Sequence, residues 1–165
     1  MVIGRGDISK AIDDREGFIF FASGCSNRFK LTDDAMQKEE WAIQGIRTEK
    51  MFVYFSTLSI YRQQHNAYIS HKIRMEGLVK QFTNHCIMRI GNITWGDNPN
   101  TLINHLKKDQ SRIEDTYRHL IYFDDLNYWC KQIPRFGKHQ MNVTGRLVYV
   151  PDLVNEINER KIHTD

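Results

Sequence analysis

The sequence predicts an α/β fold built on a mostly parallel sheet of four to five strands. Short apolar runs alternate with stretches of helical spacing, in the order strand, helix, strand, helix. Several runs are apolar at nearly every position, as in strands covered on both faces. A further observation places chemistry on this frame. Residues 50–57, Lys-Met-Phe-Val-Tyr-Phe-Ser-Thr, end in two hydroxyls shortly before Tyr68-Ile69-Ser70-His71-Lys72. In an open α/β sheet, ligands bind at the carboxyl ends of the strands.

The elements follow in order. Residues 1–4 form a short strand leading into Gly4-Arg5-Gly6-Asp7-Ile8-Ser9, and a short helix begins at Ser9. Residues 17–23, Gly-Phe-Ile-Phe-Phe-Ala-Ser, are a second buried strand that stops at Gly24-Cys25-Ser26-Asn27. Thr32 is an N-cap for a helix running to about Gly45, with Asp33 and Asp34 where the helix dipole favours anions. The charged face over 33–40 is expected to be solvated. Residues 51–55 are the third strand and 67–82 the next helix, with Ile69, Ile73, Leu78, Val79 and Phe82 as its buried stripe. A strand over 86–90 leads to Gly91-Asn92-Ile93-Thr94-Trp95-Gly96, and Thr101 caps a helix over 102–108. A strand over 119–123, a helix over 126–132 opened by Asp124-Asp125, a short strand over 141–143 and a last helix from Val150 complete the pattern. The tail after Glu159 is polar and expected to fray.

A length of 165 residues fits one domain with a real core. A formal charge of +3 suits an anionic small ligand and lacks the clustering that nucleic acid requires, so no nucleic-acid partner is expected. No apolar run is long enough to span a bilayer, and the first residues lack the features of a signal peptide. No membrane partner is expected. Cys25, Cys86 and Cys130 form no CxxC, and the seven His form no HxxxH or HExxH pair. A cytoplasmic location, no disulfide framework and no metal site are the expectations.

Tyr68 and Lys72 share one helix face. With Thr57 at the preceding strand end they make a candidate Thr/Tyr/Lys constellation; the alternative is an ordinary exposed helix pair. Gly4 and Gly6 let a backbone approach a phosphate, or serve only a tight strand-to-helix turn. Arg89 suits a phosphate, or an ion pair with Asp124 or Asp125. Trp95, Tyr122, Phe123 and Trp129 read as core rather than as a stacking platform.

The order of these pieces resembles the extended short-chain dehydrogenase/reductase family, the NAD-dependent epimerases and dehydratases of sugar nucleotides. The pieces are the glycine opening 3–9, the strand end Ala22-Ser23-Gly24, residues 55–61, Tyr68 to Lys72, and Arg89-Ile90-Gly91-Asn92 with Gly96. Residues 118–126 and 141–143 resemble two later motifs. The resemblance covers nearly the whole chain and implies a reduced Rossmann-like three-layer sandwich. It implies one domain over 1–165, with 1–96 as the cofactor and catalytic part and 97–165 as a small substrate-side part. Two departures matter. Only Asp13-Asp14-Arg15-Glu16 separate Ile12 from Gly17, where the family places its second and third strands, and Ser9 replaces the third glycine.

The resemblance implies an NAD(P)-dependent epimerase or reductase acting on a nucleotide-linked sugar. Tyr68 would be the acid/base, with its phenol pKa lowered from about 10 by the Lys72 ammonium. Lys72 would also bond the cofactor ribose, and Thr57 the substrate oxygen. Gly4, Arg5, Gly6, Ile8, Ala22, Ser23 and Ser56 would line the NAD or NADP site; Arg5 and Arg15 either meet a 2′-phosphate or are solvated arginines. Asn92 and Arg118 would hold the nucleotide sugar. Leu58 and Ser59 stand where the family's dehydratases carry Asp-Glu, which argues for epimerisation or carbonyl reduction. The missing strands imply weak cofactor binding. A homodimer is expected through the helices 33–45 and 67–82, with Met36, Trp41 and Ile43 as apolar surface. The alternative is a non-catalytic nucleotide- or sugar-binding protein derived from this fold.

Overall fold

A computed structural model describes residues 1–25, 31–62 and 66–159. The turn at Ser26-Asn27, the middle of the connection between Tyr61 and Tyr68, and the polar tail lie outside the described residues. Five strands form the main sheet: β1 (Val2–Ile3), β2 (Phe18–Phe21), β3 (Met51–Thr57), β4 (His85–Ile90) and β7 (Lys138–Val143). Their order is β1-β2-β3-β4-β7 and every pairing is parallel. This is the α/β Rossmann-like sandwich that the sequence predicts.

Successive strand residues point to opposite faces, so two apolar layers form. Phe52, Tyr54 and Ile87 face α2 (Asp33–Gly45) and α3 (Ala67–Val79) and pack with Ile43, Met75 and Val79. Val53, Phe55 and Met88 lie in the opposite core with Ala11, Ile12, Leu126 and Cys130. Those residues come from the end of α1 (Asp7–Lys10) and from α5 (Phe123–Gln132). The helix starts are fixed by caps: Thr32 accepts from the Ala35 amide at 3.2 Å, and Asn66 from the Ile69 amide at 2.9 Å.

A second, three-stranded sheet consists of β5 (Asn92–Ile93), β6 (Tyr117–Ile121) and β8 (Arg146–Tyr149), in the order β5-β6-β8. It packs with α4 (Leu102–Lys108) and α6 (Val150–Asn158) around Leu106, Leu120, Val148 and Leu153. The predicted strand over 119–123 therefore starts two residues earlier and lies in this sheet. The short run at 141–143 is the end of a six-residue strand that returns to the main sheet beside β4. Neither β5 nor β8 was predicted: one has two residues, and the other carries Arg146 and Leu147 exposed.

Of the predicted stripe on α3, Ile69 and Val79 are buried and Leu78 and Phe82 pack on the core, while Ile73 departs from it. Ile73 is 41% exposed, while His71, Lys72 and Glu76 are buried. The face that turns inward is the one with polar partners, described below. On α2, Ile43 is core rather than available surface, and Glu39, read as part of a solvated face, is 3% exposed. Trp95 is buried against Phe123, whereas Trp129 is 38% exposed beside Tyr128.

Gly4 and Arg15 serve the frame. Gly4 has φ +136°, and a Cβ there would lie 2.5 Å from the Ala22 carbonyl oxygen, so the chain leaves β1 pressed against the end of β2. The Arg15 guanidinium donates to the carbonyls of Cys130, Lys131 and Ile133 at 2.9–3.2 Å and covers the Phe18 ring at 3.9 Å. It closes the end of α5, and this corrects its expected role at a cofactor phosphate. Gly4→Ala should cost about 2 kcal/mol or more through strain and the backbone clash. Gly6→Ala, with nothing within 4 Å of the added carbon, should cost well under half of that. Urea unfolding of the two variants checks the contrast.

Candidate active site

Helix α3 meets β3 through polar pairs on successive turns. Residues 68, 72 and 76 lie four apart and share the inward face. Tyr68 shares a cleft wall with Thr57, whose hydroxyl favours the phenol's anion. The Lys72 ammonium donates to the Tyr54 hydroxyl at 2.9 Å. Glu76 accepts from the Ser56 hydroxyl at 2.6 Å. The hydroxyls at the end of β3 thus set the rotation of the helix, which is why Ile73 is left outside.

The Lys72 charge is balanced from an unexpected place. Glu39, on α2, lies 3.3 Å from the ammonium. Both side chains are under 5% exposed. Glu39 Oε1 also accepts from the Tyr54 hydroxyl at 2.7 Å. Its Oε2 accepts from the Cys25 amide at 2.6 Å and lies 2.9 Å from His71 Nε2. Burial pushes this carboxyl up; the His71 hydrogen bond, the Lys72 charge, the Cys25 amide and the Tyr54 hydroxyl outweigh it and hold it well below the usual carboxylate range.

This pairing changes the phenol. Burial pushes the Tyr68 pKa up, Lys72 pulls it down, and the Glu39 charge pushes it up again; the net direction is upward. The resemblance implied the reverse, a lysine that lowers the phenol. The difference arises first from burial of the phenol; Lys72, with its Nζ 6.0 Å from the ring centre, offsets part of this and the Glu39 carboxylate works against the lysine.

A second buried carboxylate stands beside the first. Arg89 grips Glu76 with Nε at 3.0 Å and Nη2 at 2.7 Å, and donates to the Tyr61 hydroxyl at 2.6 Å. Tyr61 in turn donates to Asn142 at 3.1 Å. Arg89 is therefore a structural ion pair, with Glu76 rather than with Asp124 or Asp125.

Two clefts open at the carboxyl ends of the strands. One, of about 400 Å³, runs along Gly6, Ile8, Ala22, Gly24, Ser56 and Lys72. The other, of about 710 Å³, runs along Ser59, Asn66, His105, Arg112, Glu114 and Arg118. Thr57, Tyr68, Asn92, Asn100 and Leu102 line both. The Thr57–Tyr68 pair thus stands where the two clefts join. Both volumes fall in the range of small-molecule sites.

The structure brings together Gly6, Ile8, Ala22, Ser56, Thr57, Tyr68, Lys72 and Asn92 on the first cleft, and Arg118 on the second. Ser56 is buried with its hydroxyl turned to Glu76. Gly4, Arg5 and Ser23 are not among the lining residues, and Arg5 and Ser23 are exposed. The Arg118 guanidinium bonds Thr116 at 3.0 Å and pairs with Glu114. Asn92 Nδ2 donates to the His119 carbonyl at 3.0 Å. Glu39, Tyr54, His71 and Glu76 had no sequence signal, because their partners are 13 to 33 residues away along the chain.

No family model matches this chain, and no curated protein matches it. Solved structures do. The UDP-glucose 4-epimerase of Bifidobacterium longum, in complex with NAD+ and UDP, is 12% identical, with a TM-score of 0.65 over 88% of this chain and 62% of its own. RMD from Pseudomonas aeruginosa, complexed with NADPH, is 15% identical, with a TM-score of 0.65 over 90% and 66%. The Helicobacter pylori ADP-L-glycero-D-manno-heptose-6-epimerase is 15% identical, with a TM-score of 0.60 over 87% and 58%. The chain has the fold of these structures and spans about three fifths of their length. Among the described residues no helix is long and apolar enough to cross a membrane.

Glu39→Gln should destabilise the protein by about 3 kcal/mol, because Lys72 would stay buried without its counter-charge. The acid limb supplies a second readout. A carboxylate depressed on folding gives stability that is complete above its unfolded pKa of about 4.3 and is lost as pH falls through the lower folded value. Wild type should therefore lose more stability than the variant below about pH 4. Chemical denaturation at pH 7 and pH 3 tests both points.

Proposed function

We propose that this protein is an NAD(P)-dependent reductase or epimerase of a nucleotide-linked sugar, with Tyr68 and Thr57 at the reacting oxygen. The observation that carries the reading is that Thr57 and Tyr68 together line the junction of two clefts, on a fold shared with structures solved with NAD+ or NADPH. The cofactor would take the first cleft and supply or accept a hydride. Gly6, Ile8 and Ala22 would hold its nicotinamide half. The adenine half lacks a counterpart, because β1 is the sheet edge and only residues 11–17 join α1 to β2.

The chain's own groups suit proton donation. A phenol with a raised pKa is a poor base at neutral pH and keeps its proton. Tyr68 Oη would give that proton to a substrate carbonyl oxygen while the Thr57 hydroxyl fixes the phenol's direction. Carbonyl reduction is therefore the favoured direction. Asn92, at the junction, and Arg118, in the wider cleft, would meet the sugar and its diphosphate, Arg118 after leaving Glu114. A homodimer through α2 and α3 is part of the proposal; Trp41 at 60% and Ile73 at 41% exposure are the apolar groups there.

The Glu39–Lys72 pair favours a second reading, a non-catalytic binder, since the lysine is already occupied. Calorimetric titration with NAD, NADP and UDP- or dTDP-sugars separates the two. The enzyme reading expects NAD(P) binding at a Kd of ~0.1 mM or weaker. It also expects a loss of roughly 10²–10⁴ in turnover for Tyr68→Phe, and a reduction rate that stays level from neutral pH to about pH 9, below the ordinary phenol pKa. Full activity in Tyr68→Phe would overturn the assignment of the phenol. Co-purified stoichiometric cofactor would overturn the weak-binding claim, and no binding at millimolar concentration would favour the binder.

A further inference from the structure

Beside the clefts, three elements bring three different metal-ligating groups together. Cys25 follows β2, Glu39 is on α2 and His71 is on α3. Their Sγ, carboxylate oxygen and ring nitrogen all lie within 4.8 Å of one another. The Glu39 and His71 side chains are 1% and 4% exposed, while Cys25 is half-buried and lines the narrower cleft. We propose that Cys25, Glu39 and His71 form a zinc-type metal site with its fourth position open to the cleft.

The carboxylate is already divided for this task. Oε1 is anchored by the Tyr54 hydroxyl and the Lys72 ammonium. Oε2 is the oxygen presented to His71 Nε2 and to the loop that carries Cys25. Partners that hold the outer oxygen of a ligand fix its orientation, as second partners do in known zinc sites. Gly24 lets the loop lie close over the pair: a Cβ there would lie 2.6 Å from Glu39 Oε1 and 2.7 Å from Lys72 Nζ, and these groups would have to shift.

The donor set selects the ion. One sulfur, one imidazole nitrogen and one carboxylate oxygen suit a borderline-soft divalent cation, zinc above magnesium or calcium. Zinc holds such atoms at about 2.0–2.3 Å, so tetrahedral ligands lie roughly 3.5 Å apart, and the widest pair here has to close by about 1 Å. Three protein ligands leave one position for water from the cleft. The protons balance simply. The Cys25 thiol gives its proton to solvent, and His71 keeps its ring proton on Nδ1 while Nε2 binds the ion. Ion, thiolate and carboxylate then sum to zero, and the Lys72 ammonium leaves one positive charge beside the cleft.

The sequence has no metal spacing motif because positions 25, 39 and 71 sit on separate elements. The test uses the whole protein, stripped with a chelator and titrated with cobalt(II), then with zinc. One equivalent of cobalt should bind with a thiolate-to-cobalt charge-transfer band in the near ultraviolet and be displaced by zinc. Cys25→Ser should remove that band and weaken binding roughly hundredfold, and His71→Asn should weaken it at least roughly tenfold. Zinc should raise the melting temperature of wild type and not of Cys25→Ser; Cys25→Ala serves if serine disturbs the loop. Absence of the band in wild type, or a band and affinity that survive in the Cys25 variants, would overturn the site and place any bound cobalt on other histidines or on Cys86 or Cys130.

Discussion

The buried carboxylate of Glu39 is the constraint on which the upper half of this protein turns. It takes hydrogen bonds or charge from the loop after β2, from β3 and from α3 at once. A charge removed from water is costly unless it is paired and fully bonded, and here both carboxylate oxygens are occupied. The arrangement cannot be partly dismantled without stranding Lys72. Because Lys72, Tyr54 and Glu39 must meet, α2 and α3 are held in one phase against the sheet. Apolar Ile73 is then turned outward while charged residues are buried, the reverse of what hydrophobic spacing dictates.

That constraint sets the chemistry. Burial raises the Tyr68 pKa more than the Lys72 charge lowers it, and the Glu39 carboxylate beside the lysine adds to the rise. The second carboxylate, Glu76, neutralises Arg89 in a bidentate pair that lies directly behind Ser56. Both basic groups nearest the strand ends are thus internally matched. The polar groups at the cleft junction are short and uncharged: the Thr57 hydroxyl, the Tyr68 phenol and the Asn92 amide.

Much of the frame was legible in the sequence. The strands β2, β3 and β4 are continuous apolar runs, and Thr32 and Thr101 mark helix starts that the side-chain caps reproduce. Thr57, Tyr68 and Lys72 were legible as a group because a strand end and the following helix are neighbours by construction. What could not be read depends on long-range pairing. Glu39 looks like one more acid on a charged face, and nothing near it in sequence announces Tyr54 or His71. The second sheet escaped for a different reason: its strands are short, partly exposed and polar, so periodicity carries little signal. Arg15 was misread because an exposed-looking arginine gives no hint that three carbonyls at the end of α5 await it.

The glycine opening is shaped by the position of β1 at the sheet edge. With β1 at the sheet edge, Gly4 is needed for its close approach to Ala22. The following helix has four residues, too few to build the dipole that holds a phosphate. Its first residue, Asp7, instead turns its carboxylate to the Asn98 amide at 3.1 Å, while the Trp95 indole donates to its carbonyl at 2.9 Å. Gly96 is glycine because a Cβ there would overlap that carboxylate. An anion already supplied by the chain thus stands at the start of α1, on the wall of the narrower cleft. The segment therefore docks the second sheet onto the first, and whatever enters the narrower cleft has to gain its affinity from the strand ends around Ala22, Thr57 and Tyr68.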